Sequence, residues 1–208
     1  MDRKYKDPAI WMIRIKDNKS SEAYSSLCLN SWKNANLNVN MFDAITPETI
    51  PEDGPLNFGT KRTVGGTRPF SETEKAVWYS HFNLWKDCTR KTNPMLVIEH
   101  DAMLLKDPKH AFLMSERFPI VCLSHCGILS PAPQKRWNRP SPGCAYIITP
   151  WMAKRLVRDI PNEIDCNSDG YLANYMTNLG AWVPHYVTQF YHPNLGTTID
   201  HPAVEEAE

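Results

Sequence analysis

No segment of this 208-residue chain is apolar for long enough to cross a bilayer, which takes about 20 consecutive residues. The start, Met1 to Pro8, is charged and lacks the apolar core of a secretion signal. Net charge is also missing, since 23 basic side chains meet 23 acidic ones. That balance excludes a bulk electrostatic grip on nucleic acid and leaves room only for a local basic patch. The end, Val204 to Glu208, is acidic and would be repelled by an anionic lipid surface. The six cysteines form no CxxC pair, and the nearest two, Cys122 and Cys126, have poor zinc spacing. Most of them lie in apolar segments as small buried hydrophobes. The expected compartment is therefore reducing and intracellular: cytoplasmic, or the host cytoplasm if the source is viral. Neither internal repeats nor low-complexity tracts occur. What remains, 42% hydrophobic and 22% charged, is a globular chain able to bury a real core as one domain over 1–208.

The most informative stretch runs from Pro94 to Leu105. Met95 to Ile98 is wholly apolar, the pattern of a strand buried on both faces, and it ends in Glu99-His-Asp101. Side chains alternate along a strand, which predicts Glu99 and Asp101 on one side and His100 on the other. Two carboxylates at the carboxyl edge of a buried strand sit where open α/β sheets bind ligands, and their oxygens suit magnesium or manganese.

Around that strand the chain alternates. Ala9 to Ile15 reads as a strand, and a helix follows from about Ser20 to Ala35 with Tyr24, Leu27, Cys28, Ser31 and Ala35 on its buried stripe. Val39 to Ala44 reads as a second strand. Thr46 to Pro69 is rich in proline and glycine and reads as a long surface loop, often a functional lid. Ser71-Glu-Thr-Glu74 is a capping box opening a helix that buries Val77, His81, Leu84 and Cys88, with Trp78, Phe82 and Trp85 beside them. A short helix near 108–115 and a strand over 119–124 come next, then a proline-rich loop from Ser130 to Pro142. Cys144 to Thr149 is a strand, Thr149-Pro150 caps a helix, and Asp169 to Leu179 is a helix ended by Gly180. Trp182 to Val187 reads as a last strand, at an edge because of Pro184. This order predicts a mostly parallel sheet flanked by helices, with a nucleotide-binding half over about 9–105 and an acceptor half over about 119–200.

Several segments, in order, resemble glycosyltransferase family 25, the lipooligosaccharide and collagen galactosyltransferase-like enzymes. Phe42-Asp-Ala-Ile45 resembles that family's turn after its second strand, and Glu74-Lys-Ala-Val-Trp-Tyr-Ser-His81 its E-x-G-C-x-x-S-H helix. Ile98-Glu-His-Asp-Ala102 resembles its L-E-D-D-A strand end, Ala145-Tyr-Ile-Ile-Thr149 its Y-x-I-S strand, and Ser168-Asp-Gly-Tyr-Leu172 its V-D-x-F-L helix start. The departures are His100 for an aspartate, Ala76 for glycine and Val77 for cysteine.

The resemblance implies a GT-A fold and metal-dependent transfer of a sugar from a nucleotide diphosphate, a UDP-sugar by family habit. It implies Asp101 as direct metal ligand, and Glu99 on the donor ribose or behind the metal. A further ligand would come from a late loop, with His192 ahead of His185 and His201. If the reaction inverts, Asp169 matches the family's carboxylate and serves as general base, with Asp165 as runner-up. Glu74 and His81 lie in the helix match and are expected near the donor. The residues themselves place Ile13 and Arg14 near the donor's base, at the end of the first strand. Lys135, Arg136, Trp137 and Arg139 mix an aromatic with three cations, a surface for stacking beside phosphates and thus for the acceptor. That acceptor is either a saccharide hydroxyl or a hydroxymethylated pyrimidine in DNA, as in viral genome modification. The competing class is a catalytically silent sugar- or nucleotide-binding module, suggested by His100.

Overall fold

The computed structural model describes residues 6–63, 66–124 and 143–190. β1 (Ala9–Arg14), α1 (Lys19–Asn34) and β2 (Val39–Asp43) form the opening βαβ unit. A hairpin of β3 (Thr60–Thr63) and β4 (Gly66–Pro69) precedes α2 (Glu72–Cys88), which leads into β5 (Met95–Glu99) and the short β6 (Ala102–Leu104). The order continues with α3 (Lys109–Met114), β7 (Ile120–Ser124), β8 (Ala145–Ile148), α4 (Pro150–Arg158), α5 (Ser168–Leu179) and β9 (Gly180–Gln189).

Among the described residues, seven strands make one sheet in the order β2-β1-β5-β8-β7-β9-β6. Neighbour directions place β2, β1, β5, β7 and β9 in one sense, with β8 and β6 reversed. The sheet is thus mostly parallel, and helices cover both faces. Met95 and Val97 of β5 enter the core shared with Trp78, Trp85 and Leu156, while Leu96 and Ile98 enter the opposite core with Cys28, Trp32 and Phe112. A strand buried on both sides needs this continuous apolar run, and Met95 to Ile98 are all buried.

Local chemistry sets the helix boundaries. Asn18, Ser71, Thr149 and Asn167 each accept a first-turn amide, and Ser71 with Glu74 completes a reciprocal capping box. Past α1, Asn36 takes the left-handed conformation (φ 57°) that asparagine tolerates, and Leu37 N bonds back to Trp32 O.

Four expectations from the sequence change. The buried face of α1 is Ser21, Tyr24, Ser25, Cys28 and Trp32, whereas Leu27 is 45% exposed; the large Trp32 turns the stripe toward β6, where its Nε1 donates to Ala102 O at 2.9 Å. The stretch from Thr46 to Pro69 is not one loop but carries the β3–β4 hairpin. β9 is internal, between β7 and β6, despite Pro184. Pairing skips from Cys122↔Trp182 to Ser124↔Val187, so Pro184 falls in a bulge where no ladder donor is needed. On α2 Val77 is only half-buried, and the buried face runs instead through Trp78, His81, Leu84, Trp85 and Cys88. Gly180 ends α5 as expected, with φ −101°. Its lack of a side chain serves a close approach, since a Cβ there would lie 2.8 Å from Met176 Cα.

Candidate active site

β1, β2 and β5 run parallel and end together, with Ile13 beside Phe42 on one flank and Glu99 on the other. Side chains released at these carboxyl ends face the crevice such sheets use for ligands. By the parity of Met95 and Val97, Glu99 emerges on the α2 side, where its Oε1 lies 3.6 Å from His81 Nε2. Strand alternation stops there. His100 and Asp101 form a turn, and the His100 ring packs 5.9 Å from Tyr24 of α1. The approach of Asp101 to Glu99 is therefore made by a turn and not by the two-residue strand repeat. Asp101 Oδ2 accepts from Gln189 Nε2 at 2.8 Å, and Phe190 N donates to Asp101 O at 2.7 Å, so the end of β9 pins this turn. Asp101 Oδ1 is buried and has no hydrogen-bond partner among the described residues.

The electrostatics mark one neighbourhood. Burial pushes the Glu99 carboxyl well above the usual carboxylate range, and the charges of Asp101 and Asp169 push it further. Burial raises Asp101 too, against the lowering effects of His100 and the Gln189 bond. Asp169, in the first turn of α5, is close enough for its charge to be felt by Glu99, His81 and Tyr146. No arginine or lysine neutralises Glu99 or Asp101 among the described ion pairs.

A buried relay stands behind Glu99. Trp85 Nε1 donates to Tyr146 Oη at 2.9 Å, and Tyr146 Oη lies 2.8 Å from His81 Nδ1. Tryptophan can only donate, so the Tyr146 oxygen accepts there and its own proton is free for Nδ1. With the phenol proton on Nδ1, His81 carries its hydrogen on Nε2, which faces Glu99. Burial lowers the His81 pKa to about 4, opposed by Asp169, so the imidazole is neutral near pH 7 and the 3.6 Å contact is no ion pair. On the same helix Ser80 Oγ accepts from Ile45 N at 2.9 Å, fixing the turn after β2.

The other expected residues fall as follows. Ile13 is buried beside Glu99, and Arg14 Nε pairs with Asp43 Oδ1 at 3.1 Å. Asp165 is half-exposed and pairs with Arg62 of β3 at 3.2 Å, while Arg62 N donates to Asp165 O. Glu74 has both oxygens engaged by a bidentate Arg68, by Lys61 and by Ser71 N, locking the hairpin to the start of α2. His185 belongs to β9. His192, His201, Lys135, Arg136, Trp137 and Arg139 lie outside the described residues. Sequence reasoning missed Tyr146, Trp85 and Gln189 as site residues. A tyrosine inside the otherwise apolar Ala145–Ile148 was the available signal for the first, because a buried phenol needs partners.

The Glu74 clamp has a pH signature. Burial pushes its carboxyl up, but bonds from Arg68, Lys61 and Ser71 hold it at about 2 against an ordinary 4.5. A depressed carboxylate stabilises above its unfolded value and loses that contribution as pH falls through the folded one. Glu74→Gln should thus lower stability by about 1–3 kcal/mol at pH 7, a gap that closes as pH falls from 4.5 toward 2 in thermal melts. A gap independent of pH would deny the clamp its charge.

The sequence model of glycosyltransferase family 25 (LPS biosynthesis protein) matches residues 10–130, more than half of the chain. Among solved structures the chain is similar to a "glycosyltransferase involved in the glycosylation of the major capsid of PBCV-1". That match has 12% identity, covers 86% of this chain and 82% of that one, and has a TM-score of 0.46. A comparison with curated proteins returns no match. With the relay helix and the acid-bearing strand end both inside the matched span, the chain belongs to glycosyltransferase family 25 and is a sugar-transferring enzyme.

Proposed function

We propose that the chain transfers a sugar from a nucleotide diphosphate donor, a UDP-sugar, to a saccharide hydroxyl, with Glu99 and Asp101 holding a divalent cation. One observation carries this reading: a buried Asp101 oxygen without a partner, next to a second acid whose charge is disfavoured, at the carboxyl ends of β1 and β5. Such oxygens fit magnesium or manganese. No group of three His, Cys, Asp or Glu side chains meets among the described residues. Magnesium is commonly held by one or two carboxylates, with substrate phosphates completing its shell, so a pair is sufficient. The chemistry such a cation supplies is stabilisation of the charge developing on the departing diphosphate.

The chain's own groups do the rest. Asp101 binds the cation directly, Glu99 completes the pair that holds it, and neutral His81 orients Glu99. Asp169 takes the acceptor's hydroxyl proton as the oxygen bonds to the anomeric carbon. The electron pair of the breaking bond leaves with the diphosphate, and the configuration inverts. His100, where the family has an aspartate, packs toward Tyr24 on the other side of the turn, so the substitution leaves Glu99 and Asp101 intact.

The test is hydrolysis of UDP-hexoses with and without manganese. Slow cleavage that needs the ion is expected, and no cleavage of any donor would leave only a binding module. The family's place in LPS biosynthesis and the zero net charge favour a saccharide acceptor. A steep fall of duplex-DNA binding with salt would favour the pyrimidine instead.

Cation binding should also depend on pH. Glu99 is raised, so the cation-free protein loses stability as pH rises through the carboxyl's folded pKa. A cation must displace that proton, so its affinity should grow with pH. Manganese titrations at rising pH are expected to show tighter binding at the upper end, and a profile flat across the whole range would count against Glu99 taking part in cation binding.

A further inference from the structure

A second feature lies away from the acid cluster: a cleft of about 410 Å³ between α4 and α5, within the range of small-ligand sites. Its α5 wall carries Tyr171, Asn174, Tyr175 and Asn178, spaced so that all four share one helical face. The stripe runs about 12 Å from Tyr171 to Leu179 at 1.5 Å per residue. Arg155 and Asp159 form the facing wall. Tyr171 is buried and fixed by its hydroxyl to Leu156 O at 2.8 Å, and Tyr175 meets it edge-on at 5.3 Å. The Arg155 guanidinium sits 5.7 Å from the Tyr175 ring and 5.8 Å from that of Trp151, which is 54% exposed.

The charges of this cleft are already balanced. Asp159 is paired with Arg155 at 3.4 Å and with Arg158 at 2.6 Å, and Asp165 with Arg62 at 3.2 Å. An anionic polymer needs unpaired positive charge along the wall, and these guanidiniums are already committed to Asp159 and Asp165. The cleft does offer exposed amides on Asn174 and Asn178, each able to donate and accept, beside a half-buried aromatic ring. Hydroxyl-rich rings with C–H faces need that combination, because the C–H face rests on the aromatic and the hydroxyls bond the amides. Asp165 and Cys166 close one end, in the segment that leads through Asn167 into the first turn of α5, which carries Asp169.

We propose that this cleft is a subsite for a neutral oligosaccharide, holding acceptor sugars beyond the one that reacts. The proposal rests on the transferase reading above and adds where the acceptor chain lies. The test uses the full chain with maltotetraose, cellotetraose and lacto-N-tetraose as probes, with binding followed by saturation-transfer NMR. At least one tetrasaccharide should bind, and both Tyr175→Ala and the exposed pair Asn174→Ala/Asn178→Ala should weaken it at least fivefold. Manganese-dependent UDP-hexose hydrolysis, which needs no acceptor, should stay within twofold in the amide double variant. Hydrolysis without tetrasaccharide binding, or binding unchanged in both variants, would overturn the subsite while sparing the transferase reading. Binding of a thymidine octamer that the same variants abolish would overturn it in favour of nucleic acid. Absent hydrolysis in the wild type would strike the transferase reading instead.

Discussion

Asp101→Ala should lower sugar transfer by on the order of 10³-fold and remove the manganese dependence of donor binding. Asp101 contributes the buried oxygen that no described group satisfies, and its other oxygen is oriented by Gln189 at 2.8 Å. Alanine removes both at once. Charge neutralisation of a diphosphate has no ready substitute nearby, because burial and the charge of Asp169 still hold Glu99 toward its protonated form. Asp169→Asn makes the matching contrast. It should abolish transfer to a comparable degree while leaving donor and manganese affinity within a few-fold, because a base acts on the acceptor and not on the diphosphate. Parallel kinetics and donor-binding titrations on the two variants separate these roles. Loss of donor binding in both would merge them into one structural defect.

Tyr146→Phe is expected to have the second-largest effect, and it acts on two quantities. Removing the hydroxyl leaves Trp85 Nε1 and His81 Nδ1 without their partner in a buried site. Stranding two such groups should cost about 2–4 kcal/mol, lowering Tm by ~2–4 °C per kcal/mol in a chain of this size. Loss of packing alone predicts no more than this. The relay predicts in addition that manganese affinity falls about 10–100-fold, the usual range when a group orienting a ligand is removed. Leu84→Ala is the control. It truncates a side chain 1% exposed on the same helix and should destabilise by a similar 2–5 kcal/mol. Its manganese affinity should stay within twofold of wild type. If both variants lose the ion equally, His81 is a core residue with no positioning role.

The sequence was most legible where one local rule acts alone. Met95 to Ile98 reads as a doubly buried strand and is one, and Ser71 with Glu74 wrote the start of α2 into four residues. Ser168–Leu172 suggested that Asp169 opens a helix, and its charge does reach Glu99. Legibility failed where distant segments decide. The hairpin within 46–69 is held by Glu74, thirteen residues from Lys61, and by a parallel contact of Phe58 with Ile164. Pro184 looked like an edge marker because the bulge that shelters it exists only once β7 and β9 pair. Asp101 was placed by strand alternation, yet the turn at His100 and the bond from Gln189, 88 residues away, are what aim it. Tyr146 was visible as a motif residue, but its bonds to His81 and Trp85 span 65 and 61 positions. Propensity and period speak for neighbours in sequence, whereas a site is a set of neighbours in space.

The central claim is that Glu99 and Asp101 hold a cation which the donor's diphosphate then shares. Manganese binding read by electron paramagnetic resonance, with and without UDP, tests it most directly. The account predicts saturable binding in the wild type, tightened by UDP and absent in Asp101→Ala. Manganese binding of equal strength in wild type and Asp101→Ala, unaffected by UDP, would contradict it.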